Sequence, residues 1–395
     1  MKLSTLDAQL EALTPTLCEV RHDLHKHPEL GFEERRTQAI VRDWLVERGY
    51  TPRACAETGL VADLHPDSQG PTIALRADLD CLPMQETTDL PYRSIHDGRA
   101  HKCGHDGHTA ILMGVADILA RQREAIPGNV RLLFQPAEEG VRGGGALVMV
   151  DEGAISGVDE VYGLHNWPGF PRGEVRVVEG PTMAQVHNLD LVVRGVGGHA
   201  SQPQRCRDPV VAAAHIITAL QTVVARGLGY QGGAVVSVTM VHAGDSHNII
   251  PEVARLRGTV RSFEPETTAR VVERIKEIVD GCAVSFGVSC ELHLEALYPV
   301  VVNAPRCVDA VRRVAASIVG DARVSGAGLP MAASEDFAYF AQKIPAAYFF
   351  LGAGEEGEET PVCHHPDFDF DDALIPLGVR MFLGLVHDRM AALRT

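Results

Sequence analysis

No run of more than two lysines or arginines occurs in these 395 residues, and acids outnumber bases, 52 Asp and Glu against 36 Lys and Arg. The resulting formal charge of −16 disfavours nucleic acid as a partner, because phosphate binding needs clustered cationic surface. No signal peptide is expected either. Residues 1–21 mix acids with spaced leucines and lack a basic stretch followed by an uninterrupted apolar run. No apolar stretch reads as approaching the roughly 20 residues that cross a bilayer, so no membrane partner is expected. The nine cysteines have no regular spacing and suit thiols in a reducing compartment, which points to a cytoplasmic address. Without internal repeats or low-complexity segments, what is left is an ordinary globular composition, 45% hydrophobic and 22% charged.

A chain of this length exceeds what one hydrophobic core usually serves, so two compact domains are expected. Apolar residues recur at helical spacing over 6–24, 37–48 and 108–122. Short apolar runs at 72–76, 130–134, 161–164 and 347–351 read as buried strands ending in polar loops. Strands alternating with helices predict an α/β domain with a mixed, largely parallel sheet. Between 188 and 297 the pattern changes to strand, helix, two strands, helix, strand, a complete α+β unit of βαββαβ order. The expected organisation is one domain formed by 1–187 and 298–395, with 188–297 inserted as a second.

Candidate ligands gather just after the predicted parallel strands, where α/β sheets collect their ligands. Asp78 and Asp80 follow Ile73-Ala74-Leu75-Arg76-Ala77, and alternation directs both to one side if the extension continues. Strand-end aspartates capping a loop are the commoner use of such a pair. His101-Lys102-Cys103-Gly104-His105-Asp106-Gly107-His108 packs four metal-binding side chains into eight residues ahead of a helix. The helix N-terminus is expected to lower the Cys103 pKa, making the thiolate that metals require available. Glu138 and Glu139 follow Leu132-Leu133-Phe134-Gln135; adjacent residues point differently, so one can hold metal while the other acts as a base toward substrate. His165, in Gly163-Leu164-His165-Asn166, and Cys363-His364-His365-Pro366 complete five motifs converging on one sheet edge.

From Arg21-His22-Asp23-Leu24-His25-Lys26-His27-Pro28-Glu29-Leu30 nearly to the C-terminus, these motifs resemble the M20 metallopeptidase superfamily, in its aminoacylase, hippurate hydrolase and auxin-conjugate hydrolase branch. The resemblance implies metal ligands at Cys103, His105, Glu139, His165 and His364, with Glu138 as catalytic base. Asp80 corresponds to an Asp that the superfamily places two residues after a metal-binding His. That His is Asp78 here, as in the branch, so the resemblance does not make Asp78 a ligand. The insert resembles the family's lid and dimerisation domain. Its Gly197-Gly198-His199-Ala200 matches a motif whose histidine reaches across a dimer, while Asn248 and Arg261 match substrate-holding positions. His187 falls near the hinge, where relatives often carry Asp.

The implied activity is hydrolysis of N-acyl amino acids by a homodimer or higher oligomer holding two divalent cations per subunit, Zn²⁺ or Mn²⁺ with Co²⁺ or Ni²⁺ as alternatives. A dipeptidase or carboxypeptidase on the same scaffold is the nearest rival. A thiol hydrolase with Cys103 as nucleophile and a non-catalytic metal-binding protein are the others.

Overall fold

A computed structural model describes residues 3–140, 143–228, 233–355 and 360–394, and the chain divides into two compact units. The first comprises Met1–Thr182, Val301–Leu329 and Asp336–Thr395. At its centre lie four parallel strands, in the order Asn129–Gln135, Thr72–Asp78, Glu160–Pro171, Ala346–Gly354. Shorter strands extend this sheet on both sides to eight, with antiparallel pairings at Gly59–Asp63 and Val175–Arg176, so it is mixed and largely parallel as expected. Ile73, Leu75, Leu132, Phe134, Tyr162, Leu164, Phe349 and Leu351 are buried in one core with the helices Leu3–Lys26, His105–Arg121 and Leu374–Ala392. A strand covered on both faces reads as a continuous apolar run, which is the pattern of Ala346–Gly354, every residue of which is buried.

Register brings the chemistry to one level. Asp78 pairs with Gln135, and Arg76 pairs with Gly163, which sets Asp78 level with His165. The third strand runs to Pro171, well past the expected end at 164, because its ladder with Ala346–Gly354 continues through Pro171. His165 is therefore an intra-strand residue instead of a strand-end one.

The second unit comprises Met183–Val300 and Pro330–Glu335. Its antiparallel sheet runs in the order Ala234–Ala243, Val253–Ser262, Gln185–Arg194, Ser289–Ala296, and its two helices are Pro209–Gly227 and Pro265–Phe286. Asp208 caps the first helix by accepting from the backbone N–H groups of Val210 and Val211, and Gly287, at φ 64°, ends the second. The segment Pro330–Glu335 joins through the Ala184 N–H donating to the Ala333 carbonyl at 2.8 Å, a tertiary link that local periodicity does not show.

One expectation is overturned. The helix Pro209–Gly227 is long and apolar enough to cross a bilayer by length and composition. Valine and alanine on both of its faces raise its hydropathy, although its buried positions Ala212, Ala213, Ile216, Leu220 and Val223 form one stripe within the unit's own core.

Candidate metal centre

Cys103, Gly104 and His105 turn from loop into helix at Gly104, whose φ of 106° favours glycine. A Cβ there would also collide with the Asn166 carboxamide. The helix starts at His105, earlier than the apolar period indicates, and this places His105 in its first turn. His105 Nδ1 lies 3.0 Å from the Asp80 carbonyl oxygen and 3.3 Å from its Oδ1, so its proton is held there. That leaves Nε2, buried and without a hydrogen-bond partner, as the position open to a proton or a metal ion. His165 is arranged alike: Nδ1 donates to the Asn166 carbonyl at 2.5 Å, and Nε2 faces Cys103 Sγ at 3.3 Å. Histidines with one nitrogen pinned and the other directed at a thiol are the arrangement in which imidazoles ligate metal.

Just beyond the strand Asn129–Gln135, Ala137 adopts φ 52° and its N–H donates to the buried Glu34 carboxylate at 2.8 Å. This bend separates the two following side chains. Glu139 is fixed by its own N–H donating to Asp80 Oδ2 at 3.0 Å, and its Oε1 stands 3.2 Å from His364 Nε2 without hydrogen-bonding geometry. Glu138 Oε2 lies 4.0 Å from His105 Nε2. His364, itself at φ 70°, is held by its N–H donating to the Lys102 carbonyl at 2.7 Å.

The structure thus brings together all the ligand positions implied by the resemblance. Cys103, His105 and His165 form one group whose ligand atoms lie within 4.8 Å of one another, and Cys103, Glu139 and His364 form a second. His105, Glu138 and Glu139 form a third. Cys103 is shared by the first two, His105 by the first and third, and Glu139 by the second and third, so the groups adjoin. The orphaned His105 nitrogen and the mixed thiol, imidazole and carboxylate donors fit divalent cations.

Electrostatics points the same way. Burial pulls His105 down, but Asp78, Asp80 and Glu139 outweigh it and hold its pKa well above the usual range. Burial and the neighbouring His108 hold His165 well below it, keeping that ring neutral. The expected lowering at Cys103 is reversed: the Cys363 thiol, burial, and the Glu139 and Glu138 charges push it well up. The helix terminus loses to the Cys363 thiol, to burial and to the nearby carboxylates, so a thiolate here needs a cation beside it.

Asp78 is engaged otherwise. Its carboxylate accepts from Arg76 Nη1 at 2.6 Å and meets His108 Nδ1 at 2.7 Å. His108 Nε2 lies 2.7 Å from Asn166 Oδ1, so both of its nitrogens are occupied. Burial opposes the Asp78 charge, but His105, His108 and Arg76 keep its pKa well below the carboxylate range. Asn166, Glu34 and Asp336, which accepts from Arg76 Nη2 at 3.2 Å, complete this scaffold and were not legible. Glu34 follows Glu33 and reads as solvated helix start, and only Gly104 hints at Asn166.

His199, Asn248 and Arg261 lie in the second unit and belong to none of these ligand groups. His199 and Asn248 are neighbours: the Ala200 N–H donates to the Asn248 carbonyl at 3.0 Å, and His199 Nδ1 lies 2.8 Å from Ser201 Oγ. Arg261 Nη1 donates to the Ala332 carbonyl at 2.6 Å. His187 Nδ1 is buried without a partner, and burial lowers its pKa.

The model of peptidase family M20/M25/M40 matches residues 74–388. The chain belongs to that family. It is accordingly a metal-dependent hydrolase acting on amides. It is 39% identical over 379 residues to an N-acetylcysteine deacetylase of Bacillus subtilis, covering 95% of this M20 chain and 97% of the relative. A thermostable carboxypeptidase of Saccharolobus solfataricus is 35% identical over 92% of each chain. The crystal structure of a dinuclear metal-binding M20 peptidase from Bacillus subtilis superposes with a TM-score of 0.81 at 35% identity, covering 96% of this chain and 99% of that one.

Proposed function

We propose that this M20 enzyme hydrolyses the amide bond of N-acyl amino acids, with Cys103, His105, Glu139, His165 and His364 holding a pair of divalent cations and Glu138 moving the proton. The observation that carries the assignment is the divergence of two adjacent carboxylates. Glu139 groups with Cys103 and His364, whereas Glu138 groups with His105 and Glu139 and not with the thiol. Bound cations would supply Lewis acidity, lowering the pKa of water and polarising the amide carbonyl. Zn²⁺ suits the thiol and imidazoles, with Mn²⁺, Co²⁺ or Ni²⁺ as alternatives.

Glu138 accepts the water proton and returns it to the departing amine nitrogen, the double role of a general base and acid. Asp80 orients both halves of the site, one oxygen on His105 and the other on the Glu139 N–H. His199 from a second subunit stabilises the developing oxyanion, and Asn248 and Arg261 hold the substrate. Support for a dimer comes from the second unit's sheet edge, Ala234–Ala243, where Met240 and Val241 are exposed on a strand with one unpaired side. The nine free cysteines support a cytoplasmic setting.

The N-acetylcysteine deacetylase likeness favours N-acyl substrates, and the carboxypeptidase likeness keeps peptides as the alternative. A Cys103 nucleophile is disfavoured by the raised thiol pKa. A panel of N-acetyl and N-benzoyl amino acids beside dipeptides, with and without a chelator, tests the reading. Faster turnover of acyl amino acids that chelation abolishes is expected. Preference for dipeptides would replace the substrate class, and activity that survives complete metal removal would return Cys103 to consideration as nucleophile.

A further inference from the structure

Cys363 has no part in the hydrolysis, yet it stands beside the ligand that both candidate metal groups share. The hydrogen bond from the His364 N–H to the Lys102 carbonyl, 2.7 Å, joins the peptide unit after Cys363 to the one before Cys103. Backbones so joined run about 5 Å apart, inside the roughly 4.4–6.8 Å Cα range that a disulfide spans. The side chains converge as well. Cys363 Sγ is 3.7 Å from the Cys103 carbonyl oxygen, and its thiol lies within hydrogen-bonding reach of the Cys103 thiol. Asn166 Nδ2 donates to Cys363 Sγ at 3.9 Å. Cys103 is buried, whereas Cys363 is only partly so and offers an oxidant the first point of attack.

We propose that Cys103 and Cys363 form a reversible disulfide that removes Cys103 from the metal centre, making this site a redox-controlled one. The inference rests on Cys103 being a metal ligand. The oxidant is a peroxide. The Cys363 sulfur attacks the O–O bond of hydrogen peroxide, gaining one oxygen as a sulfenic acid while the other leaves as water with the thiol proton. The Cys103 sulfur then attacks Cys363; the S–S bond forms, the S–O bond breaks, and the second water carries off the Cys103 proton. Two thiols lose two electrons and two protons, and one peroxide becomes two waters. A disulfide sulfur is no longer the thiolate that metals bind, so both groups sharing Cys103 lose a donor at once.

The test has two arms. Metal-free protein is treated with hydrogen peroxide and mapped by mass spectrometry without reduction. A cross-linked peptide pair containing Cys103 and Cys363, lighter by two hydrogens and restored by dithiothreitol, is the expected product. Oxidation of Cys103 to sulfinic or sulfonic acid without that cross-link overturns the proposal. In the second arm, Zn²⁺-loaded protein receives peroxide while a chromogenic chelator reports released metal. Release that dithiothreitol and added Zn²⁺ reverse is expected in the wild type. In Cys363→Ala and Cys363→Ser, metal should stay bound before treatment, and any peroxide-driven release should not be recoverable by dithiothreitol. If the cross-link forms while Zn²⁺ remains fully bound, the switch is overturned through its premise that Cys103 is a ligand. That result is distinguishable from failure of the cysteine pair itself.

Discussion

The two units bury different chemistry. Around the metal centre the first hides charge: Arg21, Arg76, Asp78, Asp80, Lys102, His105, Asp106 and His108 are each at most 1% exposed. The βαββαβ part of the second, among its described residues, buries Ser262 and Thr268 but no Asp, Glu, Lys, Arg or His, His187 being only half-buried. Its core is Leu189, Leu191, Val193, Ile216, Leu220, Leu256, Ile275 and similar side chains. Buried charges persist only when paired or neutralised. In the first unit they are: Lys102 Nζ donates to Glu86 Oε1 at 2.7 Å, His25 bridges Asp106 and Glu86 at 2.9 and 3.2 Å, and Arg389 donates to Glu160 at 2.8 Å. A network of that kind specifies one arrangement of ligands, and it makes the first unit sensitive to protons and metal in a way that an apolar core is not.

The sharpest way to separate chemistry from folding is Glu138→Gln. Turnover should fall by about 100-fold to 10,000-fold, the range for a lost general acid/base, with metal content and melting temperature unchanged. Undiminished turnover would sink the assignment of Glu138.

Whether the second unit takes part in catalysis is asked by mixing two inactive proteins, Glu138→Gln and His199→Ala, under conditions of verified subunit exchange. If His199 serves the partner's centre, one site of each heterodimer is intact and the other carries both lesions. Activity should then return to about one quarter of wild type, because half the dimers are mixed and half their sites are whole. No recovery would confine His199 to its own chain.

Alkaline pH should loosen the first unit through His25. Burial lowers the His25 pKa, but its bonds to Asp106 and Glu86 prevail and raise it to about 9, against an ordinary value of 6.5. A raised folded-state pKa means that the stabilisation is complete below pH 6.5 and is lost as pH climbs through 9. That loss is on the order of 3 kcal/mol. Hydrogen exchange followed at both ends of this window should show amides of the first unit opening more readily at the alkaline end, while those around Leu191 and Ile275 hold steady. A His25→Asn variant should flatten the dependence.

The smallest effect belongs to the surface of the second unit. Val284 is 84% exposed on its helix, so Val284→Lys should change stability by no more than about 0.5 kcal/mol in chemical denaturation. A larger loss would mean that this face is covered in solution.

What could be read in advance followed from periodicity and local motifs. The apolar runs became the central parallel strands, and the change of texture after His187 became the βαββαβ fold, because both signals are local. Cys103 and His105 stood out in a loop dense in His and Cys, Glu138, Glu139 and His165 stood out just after apolar runs, and the full ligand set, His364 included, came from the family resemblance. Long-range pairings left no such mark: Asp78 with His108, Glu34 with the Ala137 N–H, and Asn166 against Gly104 join segments whose separation in sequence carries no pattern. The Cys103 thiol failed for a related reason. A helix N-terminus can be seen in sequence, whereas the Cys363 thiol, the burial and the carboxylates that outweigh it come from tertiary packing of distant segments.

The strand order of the first unit bears on how the chain acquires its structure. Ala346–Gly354 lies between Glu160–Pro171 and Val175–Arg176, although it follows both by some 170 residues in sequence (346 − 176 = 170). During synthesis, the middle of this sheet therefore waits as an open slot flanked by unpaired backbone while the whole of Met183–Val300 emerges and collapses on its own local contacts. Loop closure across that interval makes insertion of the last central strand a slow, late event. Until it happens, the nascent chain exposes two hydrophobic edges that any other extended segment can occupy, a reason for this enzyme to depend on chaperones more than its final stability would suggest.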